Sequence, residues 1–169
     1  KAMRRAGVVI VGGGPGGASC AIALAQHGID SVIVEKETFP RYHIGESMTG
    51  ECGNAVRSFG LESVMAERGY PVKRGVRVFN PSGGYAFWIP VMARHEAGDL
   101  AEATTWQVPR DEFDALMLSA AEKRGAEIVR GEAFAVALKP RSGSSGLRLL
   151  AYPSINSSDG SSANRPWMQ

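Results

Sequence analysis

The stretch VVIVGGGPGGASCAIALAQHGIDSVIVE, residues 8–35, decides the fold. It opens with four consecutive β-branched residues, which fits a strand buried on both faces, as in a parallel sheet, better than a strand with one wet face. Glycines end the run at once. From Pro15 to His27 the chain is rich in small residues and helix formers, with Ile22, Leu24 and several alanines available to pack on a sheet. Gly28 stands where a C′ residue closes a helix. SVIV at 31–34 then repeats the buried-strand pattern and runs into Glu35. The unit predicted is β-α-β with a right-handed crossover.

Inside that unit, Gly12-x-Gly14-x-x-Gly17 lies between strand and helix, with Pro15 opening the helix. The three glycines differ in what they do physically. Gly12 makes the tight turn, Gly14 lets a pyrophosphate approach the backbone, and Gly17 allows close packing of helix on strand. The helix N-terminus adds N–H groups and positive potential. Glu35, closing the second strand, would accept hydrogen bonds from a ribose, and its charge argues against a 2′-phosphate there. The constellation predicts an adenine dinucleotide. It does not choose between NAD and FAD.

Composition narrows the remaining classes. At 169 residues and 44% hydrophobic content, the chain has room for one folding unit with a sizeable core. Its net charge is +2, from 19 basic and 17 acidic residues, and the basic residues are scattered rather than gathered in a stripe, so no nucleic-acid partner is expected. Cys20 and Cys52 form no C-x-x-C, and His27, His43 and His95 show no ligand spacing with them, so neither a metal site nor a disulfide framework is expected. The basic N-terminus leads into only a short apolar run before the glycines, too short for a signal segment or a stable membrane insertion. A cytoplasmic location follows by default.

Downstream, FPRYHIGES at 39–47 lacks a useful period and reads as a loop. Cys52, Val56, Phe59 and Val64 recur at helical spacing, with Gly60 as an interruption. In YPVKRGVRVF, residues 70–79, apolar and basic residues alternate, so a single strand would place Lys73 and Arg77 on one face. NPSGG is turn chemistry and YAFWIPV a returning strand, which together predict a hairpin. After a polar connection, TTWQV reads as a short strand, and PRDEFDALMLSAAEKRG as a helix with Pro109 in its first turn and a stripe of Phe113, Leu116, Met117 and Ala120. Strand patterns at AEIV, AFAVALK and LRLLAY follow, and the serine-rich text from 153 to 169 reads as a disordered tail.

The segment FPRYHIGESM resembles the loop that runs along the flavin in FAD-dependent halogenases of the tryptophan halogenase-like kind and in related flavin monooxygenases. WQVPRDEFDALMLSAAEKRG resembles the Q-V-x-R-x-x-F-D helix of the same family. The likeness covers about residues 7 to 135, and it implies FAD as the cofactor of a flavoprotein oxidoreductase. By it, Arg41, Gly45, Glu46, Ser47, Gln107 and Arg110 join Gly12, Gly14, Pro15, Gly17, Glu35 and Lys36 as candidates to bind the cofactor, with Arg41 and Arg110 able to offer charge-assisted donors to phosphate. From the residues alone, Gly45 to Ser47 also read as a helix entry capped by Ser47 or Thr49, and Arg110 as a solvated first-turn residue.

The resemblance also places a catalytic lysine a little under thirty residues beyond G-E-S, and Lys73 in V-K-R-G-V matches it. A neighbouring Arg77 or an apolar wall would lower the pKa of its amine, whereas a solvent-facing lysine on a strand would gain neither effect. Trp88 in FWIP is a core or a substrate-side aromatic, and the core reading is preferred. The family likeness implies an α/β chain, a Rossmann-like FAD-binding domain over 1–152 with a β-rich excursion over 70–108 towards the substrate side, truncated relative to a full-length member. It implies a halogenase that uses reduced flavin, supplied by a separate reductase, and oxygen to oxidise halide for transfer to an organic, aromatic substrate. A hydroxylating flavin monooxygenase and an inactive FAD-binding fragment are the other readings. Exposed sheet edges would favour self-association.

Overall fold

The computed structural model describes residues 6–95 and 97–133, so the strand patterns at AFAVALK and LRLLAY and the polar tail lie outside the described residues. In chain order the elements begin with β1 (Val8–Val11), α1 (Pro15–Gln26), β2 (Ser31–Glu35), α2 (Gly50–Ser58), α3 (Glu62–Glu67) and β3 (Val72–Lys73). They continue with β4 (Gly75–Phe79), β5 (Ala86–Pro90), β6 (Met92–Arg94), β7 (Leu100–Glu102), β8 (Thr105–Trp106), α4 (Arg110–Lys123) and β9 (Glu127–Arg130). The described residues divide into two compact units, residues 6–38 with 121–133, and residues 39–95 with 97–120.

The first unit is the predicted β-α-β with one more strand. Its parallel sheet has the order β1-β2-β9, with Val8 opposite Ser31 and Val34 opposite Val129. Because β2 has a neighbour on each side, Ile33, Val34 and Glu35 are buried. Among the described residues β1 pairs on one side only, its first three residues are half-buried and Val11 is exposed, so the expectation of a first strand buried on both faces fails along its length. Helix α1 buries Ala18, Ala21 and Ile22, the small and branched residues of the sequence pattern.

In the second unit, the Thr49 hydroxyl accepts the Cys52 N–H and caps α2, an N-terminal donor otherwise left without an intrahelical partner. Gly60 separates α2 from α3, as the sequence predicts. Val56, Phe59, Leu61, Met65, Trp106, Val108, Phe113 and Met117 are among the unit's large buried apolar side chains.

Three expectations are corrected here. The alternating run 72–78 is two strands: β3 pairs with β8, putting Lys73 opposite Thr105, whereas β4 pairs with β5, putting Arg77 opposite Trp88. The change of partner falls at Arg74, whose carbonyl accepts the Val91 N–H at 2.9 Å, so Lys73 and Arg77 share no strand face. The polar connection contains a second small hairpin, β6 with β7, whose strands are too short to show a period and bury only Ala93 fully. Trp88 is 52% exposed and is not a core residue. Among the described residues no helix is long and apolar enough to cross a membrane, and no group of three His, Cys, Asp or Glu side chains is placed to hold a metal ion.

Candidate functional site

In the first unit the chemistry gathers where β1 turns into α1. The Gly12 N–H donates to the Val34 carbonyl at 2.8 Å, which ties the turn to the end of β2. Gly14 occupies the N-cap position of α1, no side chain caps it, Pro15 stands at the start, and the first turn carries no acidic residue. The first-turn N–H groups thus face outward with the positive end of the helix dipole, an arrangement that favours an anion. Gly17 has no alternative residue: a Cβ there would lie 2.0 Å from the Gly12 carbonyl oxygen.

Glu35 completes this end. Its carboxylate is buried and accepts the Gly13 N–H at 2.5 Å through Oε2 and the Glu37 N–H at 2.7 Å through Oε1. Each carboxylate oxygen has acceptor capacity for more than one donor, so the residue both braces the glycine turn and retains capacity for a hydroxyl pair. Lys36 is exposed and lies 3.7 Å from Glu132, a solvated pair worth little. A turn without Cβ atoms, an uncapped helix start and a fixed carboxylate fit the pyrophosphate and ribose of a dinucleotide.

In the second unit the predicted residues meet around one loop. Gly45 has φ +101°, a left-handed conformation that disfavours any side chain. Arg110, in the first turn of α4, donates from Nη1 to the Ile44 carbonyl at 2.8 Å and from Nε and Nη2 to Asp114 at 2.6 and 3.0 Å. The hydrogen bonds to Asp114, helped by its charge, hold the Arg110 guanidinium above its ordinary range, with burial pulling the other way. Arg41 lies 3.7 Å from the same fully buried Asp114 and stacks over the Phe39 ring at 4.7 Å. Arg41 therefore ties the loop to α4 through the Asp114 carboxylate, and Arg110 does so through the Ile44 carbonyl.

The loop continues as a strand edge. Ser47 bridges Gln107, the Val108 N–H donates to the Glu46 carbonyl, and the Met48 N–H donates to the Trp106 carbonyl. Segment 105–108 thus lies between the loop and β3, with Glu46 and Gln107 exposed. From β3, the Lys73 ammonium reaches Ser47 Oγ at 2.8 Å and the Met48 carbonyl at 3.1 Å. Sequence reasoning missed Asp114 and the Met48 carbonyl; the four-residue spacing of Arg110 and Asp114 was the available signal for the first, and a backbone carbonyl gives none.

The family described as FAD binding domain matches residues 5–144. The chain belongs to that family. Relatives of this FAD-binding domain include the 1H-pyrrole-2-carbonyl-(peptidyl-carrier protein) brominase of Pseudoalteromonas luteoviolacea, 39% identical over 124 residues, covering 73% of this chain and 28% of the brominase. The flavin-dependent halogenase otaD of Aspergillus carbonarius is 38% identical over 130 residues, covering 76% of this chain and 25% of the halogenase. The solved structure of flavin-dependent brominase Bmp2 matches with a TM-score of 0.68 at 38% identity, over 78% of this chain and 31% of that one. The FAD-binding domain described here thus spans less than a third of each of these relatives, and FAD is the dinucleotide that its glycine turn and Glu35 fit.

Proposed function

We propose that this chain is the FAD-binding part of a halogenase-like flavoenzyme, in which Lys73 presents an oxidised halogen to an organic, aromatic substrate. Bound FAD, reduced by a separate reductase, supplies with oxygen the oxidising power that turns halide into hypohalous acid. Gly12, Gly14, Pro15, Gly17, Glu35 and Lys36 hold its nucleotide end, and Arg41, Gly45, Glu46, Ser47, Gln107 and Arg110 serve the same cofactor through the loop. The β-rich excursion over 70–108 forms the substrate side, and the enzyme works in the cytoplasm.

The observation that carries this reading is the placement of the Lys73 amine. Apart from its own carbon, Nζ has three tetrahedral positions, and Ser47 Oγ and the Met48 carbonyl take two of them. As an ammonium, Lys73 directs its third N–H outward to hydrogen-bond hypohalous acid. As a neutral amine, it directs its lone pair to the same position, where attack on the halogen forms N–X and breaks O–X, and the hydroxide that leaves takes one N–H proton to become water. Transfer to the aromatic carbon then returns the ring proton to the amine. The relative named for a pyrrole-carbonyl substrate acts on an electron-rich ring, which supports the same substrate class here.

The test is Lys73→Ala. The variant should keep FAD affinity and lose halogenation; retained halogenation would sink the assignment. Product analysis with and without bromide or chloride separates this reading from hydroxylation, which needs no halide.

A further inference from the structure

The second unit also holds a cavity of about 660 Å³, within the range of small-molecule sites, whose lining uses neither Lys73 nor the cofactor residues. Three guanidiniums, Arg57, Arg74 and Arg94, share its wall with Glu62, Glu102 and the indole of Trp88. Arg57 is committed: Nε lies 3.3 Å from Glu62, Nη2 donates to the Thr104 carbonyl and hydroxyl at 2.8 Å each, and the group stacks over Trp106 at 4.9 Å. Arg94 is positioned by its backbone N–H on Glu51 and by Nη1 on the Gly98 carbonyl, which leaves its other nitrogens available. Arg74 has no ion pair among the described residues.

Charge accounting selects the ligand. Arg57 and Glu62 neutralise each other, so Arg74 and Arg94 stand against Glu102 and, with the lining His95 counted neutral, leave a surplus of one cation. That matches a single negative charge and disfavours a phosphate dianion. Trp88 adds a planar wall: its ring packs on Gly75, where a Cβ would lie 2.2 Å from it, and about half of the residue stays exposed. We propose that this cavity binds an organic monoanion with a planar apolar body, of the aryl carboxylate class, its carboxylate on Arg74 and Arg94 and its ring on Trp88. The proposal stands apart from the halogenation reading, and failure of either leaves the other intact.

Titration of the full chain with benzoate, followed by calorimetry and tryptophan fluorescence, tests it. Saturable one-to-one binding is expected, with benzamide, which lacks the charge, weaker by at least about tenfold. Arg74→Gln alters an exposed residue, should leave the circular dichroism unchanged, and should weaken benzoate by about the same factor. Saturating benzoate should not alter the affinity for FAD. The proposal is overturned if benzoate fails to bind, if benzamide or the Arg74→Gln/Arg94→Gln variant binds equally well, if inorganic phosphate competes as strongly as benzoate, or if benzoate displaces FAD.

Discussion

At the scale of single residues, an amine works as a halogen carrier only if its direction is fixed, and Ser47 supplies one of the two contacts that fix Lys73. With FAD saturating, so that any weakening of the cofactor is offset, Ser47→Ala should still lower kcat for halogenation, and Ser47→Thr, which keeps the hydroxyl, should restore much of the rate. A kcat that recovers fully at saturating FAD would instead assign Ser47 to the cofactor alone. Gly17 is constrained by contact. A Cβ 2.0 Å from the Gly12 oxygen cannot be absorbed by a side-chain rotation, because the obstacle is backbone. Gly17→Ala should therefore displace the turn, destabilise the chain by roughly 2 kcal/mol and weaken FAD by at least about tenfold in a fluorescence titration.

Among the elements, α4 and the 39–48 loop are joined through Asp114, which faces two guanidiniums from a fully buried position. Removing the carboxylate leaves both cations without their shared counter-charge, so Asp114→Ala should cost about 3 kcal/mol in urea unfolding. Tyr70, just before β3, links pH to the same unit. Burial raises its pKa above 10.0, Arg68 opposes the rise through a hydrogen bond and its charge, and Glu112 adds to it. Its contribution is fully present below pH 10.0 and is lost as pH rises through the folded-state value, where the unfolded chain ionises first. Tyr70→Phe should flatten that alkaline fall in melting temperature. These elements also show what the sequence makes legible. The β1-α1-β2 unit and its glycine turn were readable because their signals are local: branched runs, small residues and a helix stop within a few turns of chain. The split at Arg74 was not, because alternation continues through a change of partner, and partners such as Thr105 and Trp88 are chosen by distant segments. The Lys73 contacts to Ser47 and Met48 likewise cross segments far apart in sequence, and the residue likeness alone pointed to that lysine.

At the scale of the whole molecule, two properties of this chain follow from what it binds and what it exposes. FAD binds the native state, so free FAD at roughly 100 times its Kd should add about 2.7 kcal/mol of stability, seen as a rise in melting temperature that Gly17→Ala cuts to about half or less at the same FAD concentration. The β4-β5 hairpin acts in the opposite direction. A two-stranded hairpin is marginal by itself, and here cross-strand pairing places Val76 with Ile89 and Val78 with Phe87 on one face. Val76, Phe87 and Ile89 each remain nearly half exposed, an apolar face with no polar residue among those pairs. Water contact on such a face favours association of like surfaces. Sedimentation velocity should accordingly show self-association that grows with concentration, and Val76→Thr with Phe87→Thr should reduce it, since threonine keeps the strand preference while adding a hydroxyl. FAD affinity should be the same in that variant, because neither substitution touches the glycine turn, Glu35 or the loop. Association unaffected by the pair would assign the contact to another surface, and a monomer at every concentration would show that the exposed hairpin is tolerated as it stands.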